Sequence, residues 1–273
     1  MPIDQNIIKK SLTINHHLDF PFNVAAKKKR VGVLVDQIKK KHKDCIGFKN
    51  KKELADFLLG EIYGFDADTS LFEKKNKKAE IEKIVKKTVI GCRKISEDNS
   101  KLAIHIFPSY NKFINTKMSG VSGYTSDSQN ILIFLSPQKD WSIALKNTLA
   151  HEFAHTKAFK HHQWQTLLDS FIFEGLADNF RELAVGGKPA PWSLALSRVA
   201  AKKLFIKIKK FLNSKDDNLY SQIFLGYDRK YPIWSGYAIG YRIVESYLKN
   251  NKGKSWPEIF KLKPAEILEQ SKY

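Results

Sequence analysis

Cysteine is scarce in this chain: Cys45 and Cys92 are the only two among 273 residues. One bridge is arithmetically possible, but two cysteines make no disulfide framework, and free thiols in a reducing compartment are the simpler expectation. Methionine is equally rare, with Met1 and Met118 alone. Long hydrophobic runs are missing. The longest, such as Ile131–Leu135, are far too short to span a bilayer. No secretory signal is legible, because Asp4, Gln5 and Asn6 stand where its apolar segment would begin. These absences lead to the expectation of a cytoplasmic chain with no membrane span. Negative charge is the minority sign, 28 Asp and Glu against 47 Lys and Arg, for a net charge of +19. That excess invites a nucleic-acid reading. The lysines are spread over many short clusters, however, and no helix-turn-helix, zinc-finger or aromatic RNA-binding signature accompanies them. No specific nucleic-acid partner is expected.

What is present is a globular composition. The apolar fraction of 42% and the charged fraction of 27% exclude a disordered chain. Periodicity divides the sequence into an N-terminal helical region, 1–97, and a catalytic region, 98–273, expected to form one compact unit. Residues 1–23 read as an arm or first helix. Helices are expected over Val24–Lys43, over Lys51–Tyr63 with Asn50 as N-cap, and over Glu73–Ile90. After a polar break at Ser96–Ser100, Leu102–Phe107 reads as a strand stopped by Pro108, and Asn130–Leu135 as a second strand. Further helices are expected from Asp140 as N-cap to about Gln163, from Trp164 to Leu183, from Trp192 to Leu212, over Ser235–Leu248 and near Pro264–Gln270. Two strands among many helices make the fold class α+β, mostly helical.

The chemistry centres on His151-Glu152-Phe153-Ala154-His155. Residues four apart share a helical face, so His151 and His155 can point two imidazoles at one metal ion with Glu152 beside them. Between Trp141 and Ala184 stand four Lys/Arg and five Asp/Glu, a net of −1, so the basic excess is not gathered here. A catalytic zinc needs a third protein ligand. His161 has metzincin spacing, but Ala158 stands where the turn out of the helix needs glycine, and no methionine follows for a Met-turn. Glu174 is the other source. A return helix would carry it back over the first. Asp178, one turn further and in the same apolar segment, can accept the second ring N–H of a ligand histidine. His16, His17, His42, His105 and His162 read as structural or surface residues.

His151–His155 followed by Glu174-Gly175-Leu176-Ala177-Asp178 resembles the gluzincin pattern of zinc metallopeptidases. With Ser235-Gly236-Tyr237-Ala238-Ile239-Gly240-Tyr241-Arg242-Ile243-Val244, the chain is similar, over roughly residues 100–250, to the predicted Zn-dependent protease family known as domain of unknown function 2268. The first two motifs are specific together and the third is supportive. The resemblance implies a two-helix zincin core, one zinc ion per chain on His151, His155 and Glu174, and a peptide or protein substrate. Glu152 would then act as general base. Tyr237 or Tyr241 would be the donor to the developing oxyanion, unless Gly236 and Gly240 mark that segment as a close helix contact. Gluzincins also bind peptides along a sheet edge. Gly123 and Tyr124, in a segment that reads equally as a β-turn, are placed to supply it. The alternative is a non-enzymatic regulatory protein on the same scaffold, although every candidate chemical residue is present.

Overall fold

The computed structural model describes residues 11–20, 26–42, 45–71, 77–137 and 140–273. They form two compact units, one of residues up to 94 with 98–156, the other of 95–97 with 157–273.

The first unit is built on a four-stranded sheet of β1 (Leu12–His16), β2 (Leu102–Pro108), β3 (Val121–Thr125) and β4 (Asn130–Leu135), in the order β1-β2-β4-β3. β1, β2 and β4 run parallel, and β3 is antiparallel to β4. The central strands are continuous apolar runs because both their faces are covered. On one face Phe107, Leu132 and Phe134 pack with Val31, Leu34, Val35 and Ile38 of α1 (Lys27–His42) and Leu54, Leu58 and Ile62 of α2 (Lys51–Tyr63). Alternation turns Ile104, Ile106, Ile131 and Ile133 to the other face, where all are fully buried. Gly123 pairs with Ile133 and lies against Thr148 and Glu152, which puts α5 (Ser142–Ala158) on that face.

β1 corrects the expectation of an arm or helix over residues 1–23. Five residues are too few to display an alternation, and the partner is far away: Leu12 pairs with Leu102, 90 positions on. Parallel strands need such a crossover. α1, α2 and α3 (Lys78–Ser96) supply it, with a short helix α4 (Lys112–Lys117) following β2. The end of α3 is tied back to β1. The buried Arg93 guanidinium donates to Ser11 Oγ (2.9 Å), Ser11 O (3.2 Å) and Ser100 O (3.0 Å). Val24, Ala25, Lys43 and Glu73–Asn76 of the expected helices, with residues 1–10 and 21–23, lie outside the described residues. α2 matches its expectation, including Asn50, whose side chain accepts from Glu53 N–H. Asp140, expected as the cap of α5, instead has φ +66°, and the helix begins at Ser142. It ends at Ala158, whose carbonyl accepts from both His161 and His162 N–H in a tight turn.

The second unit is all helical: α6 (Leu167–Val185), α7 (Arg198–Ile208), α8 (Asp217–Tyr220), α9 (Ser235–Asn250), α10 (Trp256–Ile259) and α11 (Pro264–Ser271). α6 opens on a capping box between Thr166 and Asp169. The helix expected from Trp192 begins only at Arg198, because residues 191–196 form turns and Ser197 is the cap. α9 crosses α6 at van der Waals distance of the two backbones. A methyl group on Gly175 would strike the Gly240 carbonyl, and one on Gly240 the carbonyl of Phe171. Asn179 Nδ2 then donates across the crossing to Tyr241 O (3.2 Å) and within α6 to Gly175 O (2.8 Å). No helix among the described residues is long and apolar enough to cross a membrane.

Gly240→Ala should therefore destabilise by about 3 kcal/mol, because backbone rather than a flexible side chain must give way. A thermal or urea melt within about 0.5 kcal/mol of wild type would contradict this contact. A second expectation concerns acid. His105 is buried in β2 and His17 stacks on Phe107 with ring centroids 4.4 Å apart. Burial, reinforced by the neighbouring His17, His42 and Lys41, lowers His105 to about 3, and burial with Lys41, His42 and His16 lowers His17 likewise to about 3. The unfolded chain takes up these protons first as pH falls. Their contribution is intact above about pH 6.5 and is lost towards pH 3. His105→Leu should flatten the fall of the urea midpoint between pH 6.5 and 3; an unchanged slope would sink the assignment.

Candidate metal centre

From Leu149 to Ala158 α5 is buried on every side, so its polar residues are held inside the protein. His151, Glu152 and His155 are among them. One helical turn separates the histidines. Their Nε2 atoms approach to 3.1 Å with the rings nearly perpendicular (83°). Two ring nitrogens this close either share a proton or turn two lone pairs on a common cation.

Glu152 is gripped by β3. Thr125 Oγ1 lies 2.7 Å from Glu152 Oε2 and 2.9 Å from the Glu152 carbonyl oxygen. Gly123 makes room for the same side chain. A methyl group there would lie 2.5 Å from Glu152 Cγ, 2.7 Å from Thr148 Cγ2 and 2.8 Å from Glu152 Oε1. Among the described residues, β3 is the last strand of the sheet on its other edge. Bonds from Ser136 N–H to Gly120 O and from Ser126 N–H to Asn130 O bracket its ladder with β4. With the antiparallel alternation, Ser122 and Tyr124 bond to β4, while Val121, Gly123 and Thr125 turn their main-chain groups outward. Among the described residues no strand pairs on that side.

On the α2 face of this strand, the Tyr124 ring stays 41% exposed and packs against Phe57 (4.5 Å) and Phe48 (5.7 Å). Ser122 Oγ donates to Glu61 Oε2 (2.8 Å). Burial pushes the Glu61 carboxyl above its ordinary range, the Ser122 bond opposes this, and Glu152 adds to it. Burial, then Glu152 and Glu53, raise Tyr124 in the same way. Thr125, Ser122 and Glu61 have no signal in the sequence, since each is defined by a partner distant along the chain.

In the second unit, Glu174 and Asp178 are buried one turn apart on α6. Asp178 is fully buried and accepts from Trp192 Nε1 at 3.0 and 3.2 Å and from Ser193 Oγ. The turns after Pro189-Ala190-Pro191 bring those two donors back. Tyr241 directs its hydroxyl to Glu182 Oε2 (3.4 Å), two helical turns along α6 from Glu174. Tyr237 sets its ring edge-on to Phe224 at 5.2 Å. His162 bonds to Phe260 O (2.9 Å), His16 to Glu82 (3.3 Å), and His17, His42 and His105 associate with one another through their rings.

Among the described residues, the group able to hold a metal ion is His151, His155 and Glu174, all buried, with one ligand atom from each within 4.8 Å of the others. His161 is not in it. Two imidazoles and a carboxylate are a zinc donor set, and nitrogens around a tetrahedral zinc stand about 3.3 Å apart, close to the spacing of the two Nε2 atoms. The residues fit the ion.

No curated protein and no solved structure matches the chain. The sequence pattern described as predicted Zn-dependent protease, domain of unknown function 2268, matches residues 81–269. That span takes in α5, α6 and α9 and every residue of the metal group, and this chain is a member of that family.

Proposed function

We propose that this protein is a zinc-dependent peptidase, with His151, His155 and Glu174 holding the metal and Glu152 as general base. The observation that carries the reading is the 3.1 Å approach of the two Nε2 atoms one turn apart, with a base on the residue between them. Zinc bound there would polarise a substrate carbonyl and bring the pKa of a water down towards about 7.

The chain supplies the rest. An extended peptide adds to the outer edge of β3, bonding the outward main-chain groups of Gly123 and its alternate neighbours, with Tyr124 beside it. Glu152 takes a proton from the water as the water oxygen bonds to the carbonyl carbon. It returns that proton to the amine nitrogen as the C–N bond breaks, leaving a carboxylic acid and an amine. Asp178, fixed by Trp192 and Ser193, is suited to accept a ligand histidine's second N–H, which sets its tautomer. For the oxyanion, Tyr237 or Tyr241 would be the donor; the Tyr241 hydroxyl lies 3.4 Å from Glu182 Oε2.

Elemental analysis should find one zinc per chain in wild type and none in His151→Ala. Glu152→Gln should keep the metal and lose roughly 10²–10⁴-fold in peptide hydrolysis. A metal-free wild type ends the proposal, and an active Glu152→Gln removes Glu152 from the role of base.

A further inference from the structure

We infer that Thr125 is the positioning residue for the general base, and that its hydroxyl assigns the travelling proton to Glu152 Oε1. The inference rests on the peptidase reading and goes beyond it. Carboxylate oxygens are chemically equivalent until something occupies one of them. Here Thr125 Oγ1 occupies Oε2 at 2.7 Å, in a buried bond. An O–H donor on an ionised carboxylate is among the stronger hydrogen bonds, and excluding water strengthens it. Oε2 is thereby committed to the strand. Oε1 is the oxygen that lies over Gly123, whose missing side chain leaves the gap it occupies. Gly123 also turns its main-chain groups to the outer edge where the peptide would lie. The free oxygen of the base and the backbone that receives the substrate therefore stand at one residue.

The same hydroxyl has a second acceptor, the Glu152 main-chain oxygen at 2.9 Å. Only its hydrogen has to turn to change partner, so Thr125 can follow the charge of Glu152 without any heavy atom moving. When Oε1 takes the proton and the charge at Oε2 falls, the donor is not stranded. β3 thus serves twice, as substrate edge and as the holder of the base, and its two roles use alternating positions of one short strand. Replacing Thr125 leaves the ligands His151, His155 and Glu174 untouched.

The test compares Thr125→Val, which keeps the shape and removes the hydroxyl, with Thr125→Ser, which restores it. Peptide hydrolysis, zinc per chain and the melting temperature are measured for both. Thr125→Val should lower kcat about 10- to 100-fold, the range for losing a hydrogen bond to a charged group, with KM and zinc content unchanged. Thr125→Ser should recover most of kcat. A Val variant with wild-type kcat overturns the inference. So does a Ser variant as slow as Val, or a loss that tracks melting temperature in both, since either makes the residue a packing element. Wild-type protein that holds zinc but cleaves no peptide would overturn the peptidase reading itself and this inference with it. The two failures are distinguished by the wild-type control alone.

Discussion

A carboxylate buried in a protein must be met by donors or by a cation, because its lost hydration has to be replaced. Glu152 meets this constraint through one hydroxyl on a strand 27 residues away, and much of the first unit is arranged to deliver it. β3 reaches Glu152 only because it pairs with β4, β4 with β2, and the apolar centre of that sheet is sealed on one face by α1 and α2 and on the other by α5. The same demand governs the second unit. Asp178 is fully buried, and the turn after α6 is bent back to give it an indole N–H and a hydroxyl. In both places the local backbone yields to the polar group rather than the reverse.

Where a segment's own residues decided its conformation, the sequence could be read directly. β4 runs over Asn130–Leu135 as its apolar pattern requires, and α2 starts where Asn50 can cap it. The metal group was legible for the same reason. Two histidines at helical spacing and a Glu/Asp pair in an apolar helix carry their signal within a few residues. β1 was not legible, because a five-residue strand is defined by a register with β2 and not by its own pattern. Asp140 misled as a cap because its φ of +66° is not that of an N-cap residue, and the helix begins at Ser142. Residues 192–196, expected in a helix, form turns instead, and two of them, Trp192 and Ser193, donate to Asp178. Thr125, Ser122 and Glu61 were invisible for the reason β1 was: their significance exists only across the sheet.

Gly236 and Gly240 were open to two readings, as punctuation of a tyrosine-bearing helix or as the mark of a close crossing. The crossing is real, and it constrains the tyrosines on either side of it. With the α6 and α9 backbones in contact at Gly175 and Gly240, the rotation of α9 is fixed, and Tyr241 is sent along α6 towards Glu182. Helix contact and side-chain aim are thus one choice. The helix carrying Glu174 is held by its neighbour's main chain, which cannot change rotamer.

The family match begins at residue 81, inside α3, yet the sheet does not respect that boundary. β1 lies before it, and so does α2, which sets Phe57 and Glu61 against the Tyr124 and Ser122 side chains on one face of β3. A chain cut at residue 81 would keep every metal ligand. It would also turn β2 into an exposed edge strand and strip the apolar cover from Phe107, Leu132 and Phe134. The matched span is therefore smaller than the folding unit, and β1, α1 and α2, which precede it, are part of what makes the matched region a stable protein.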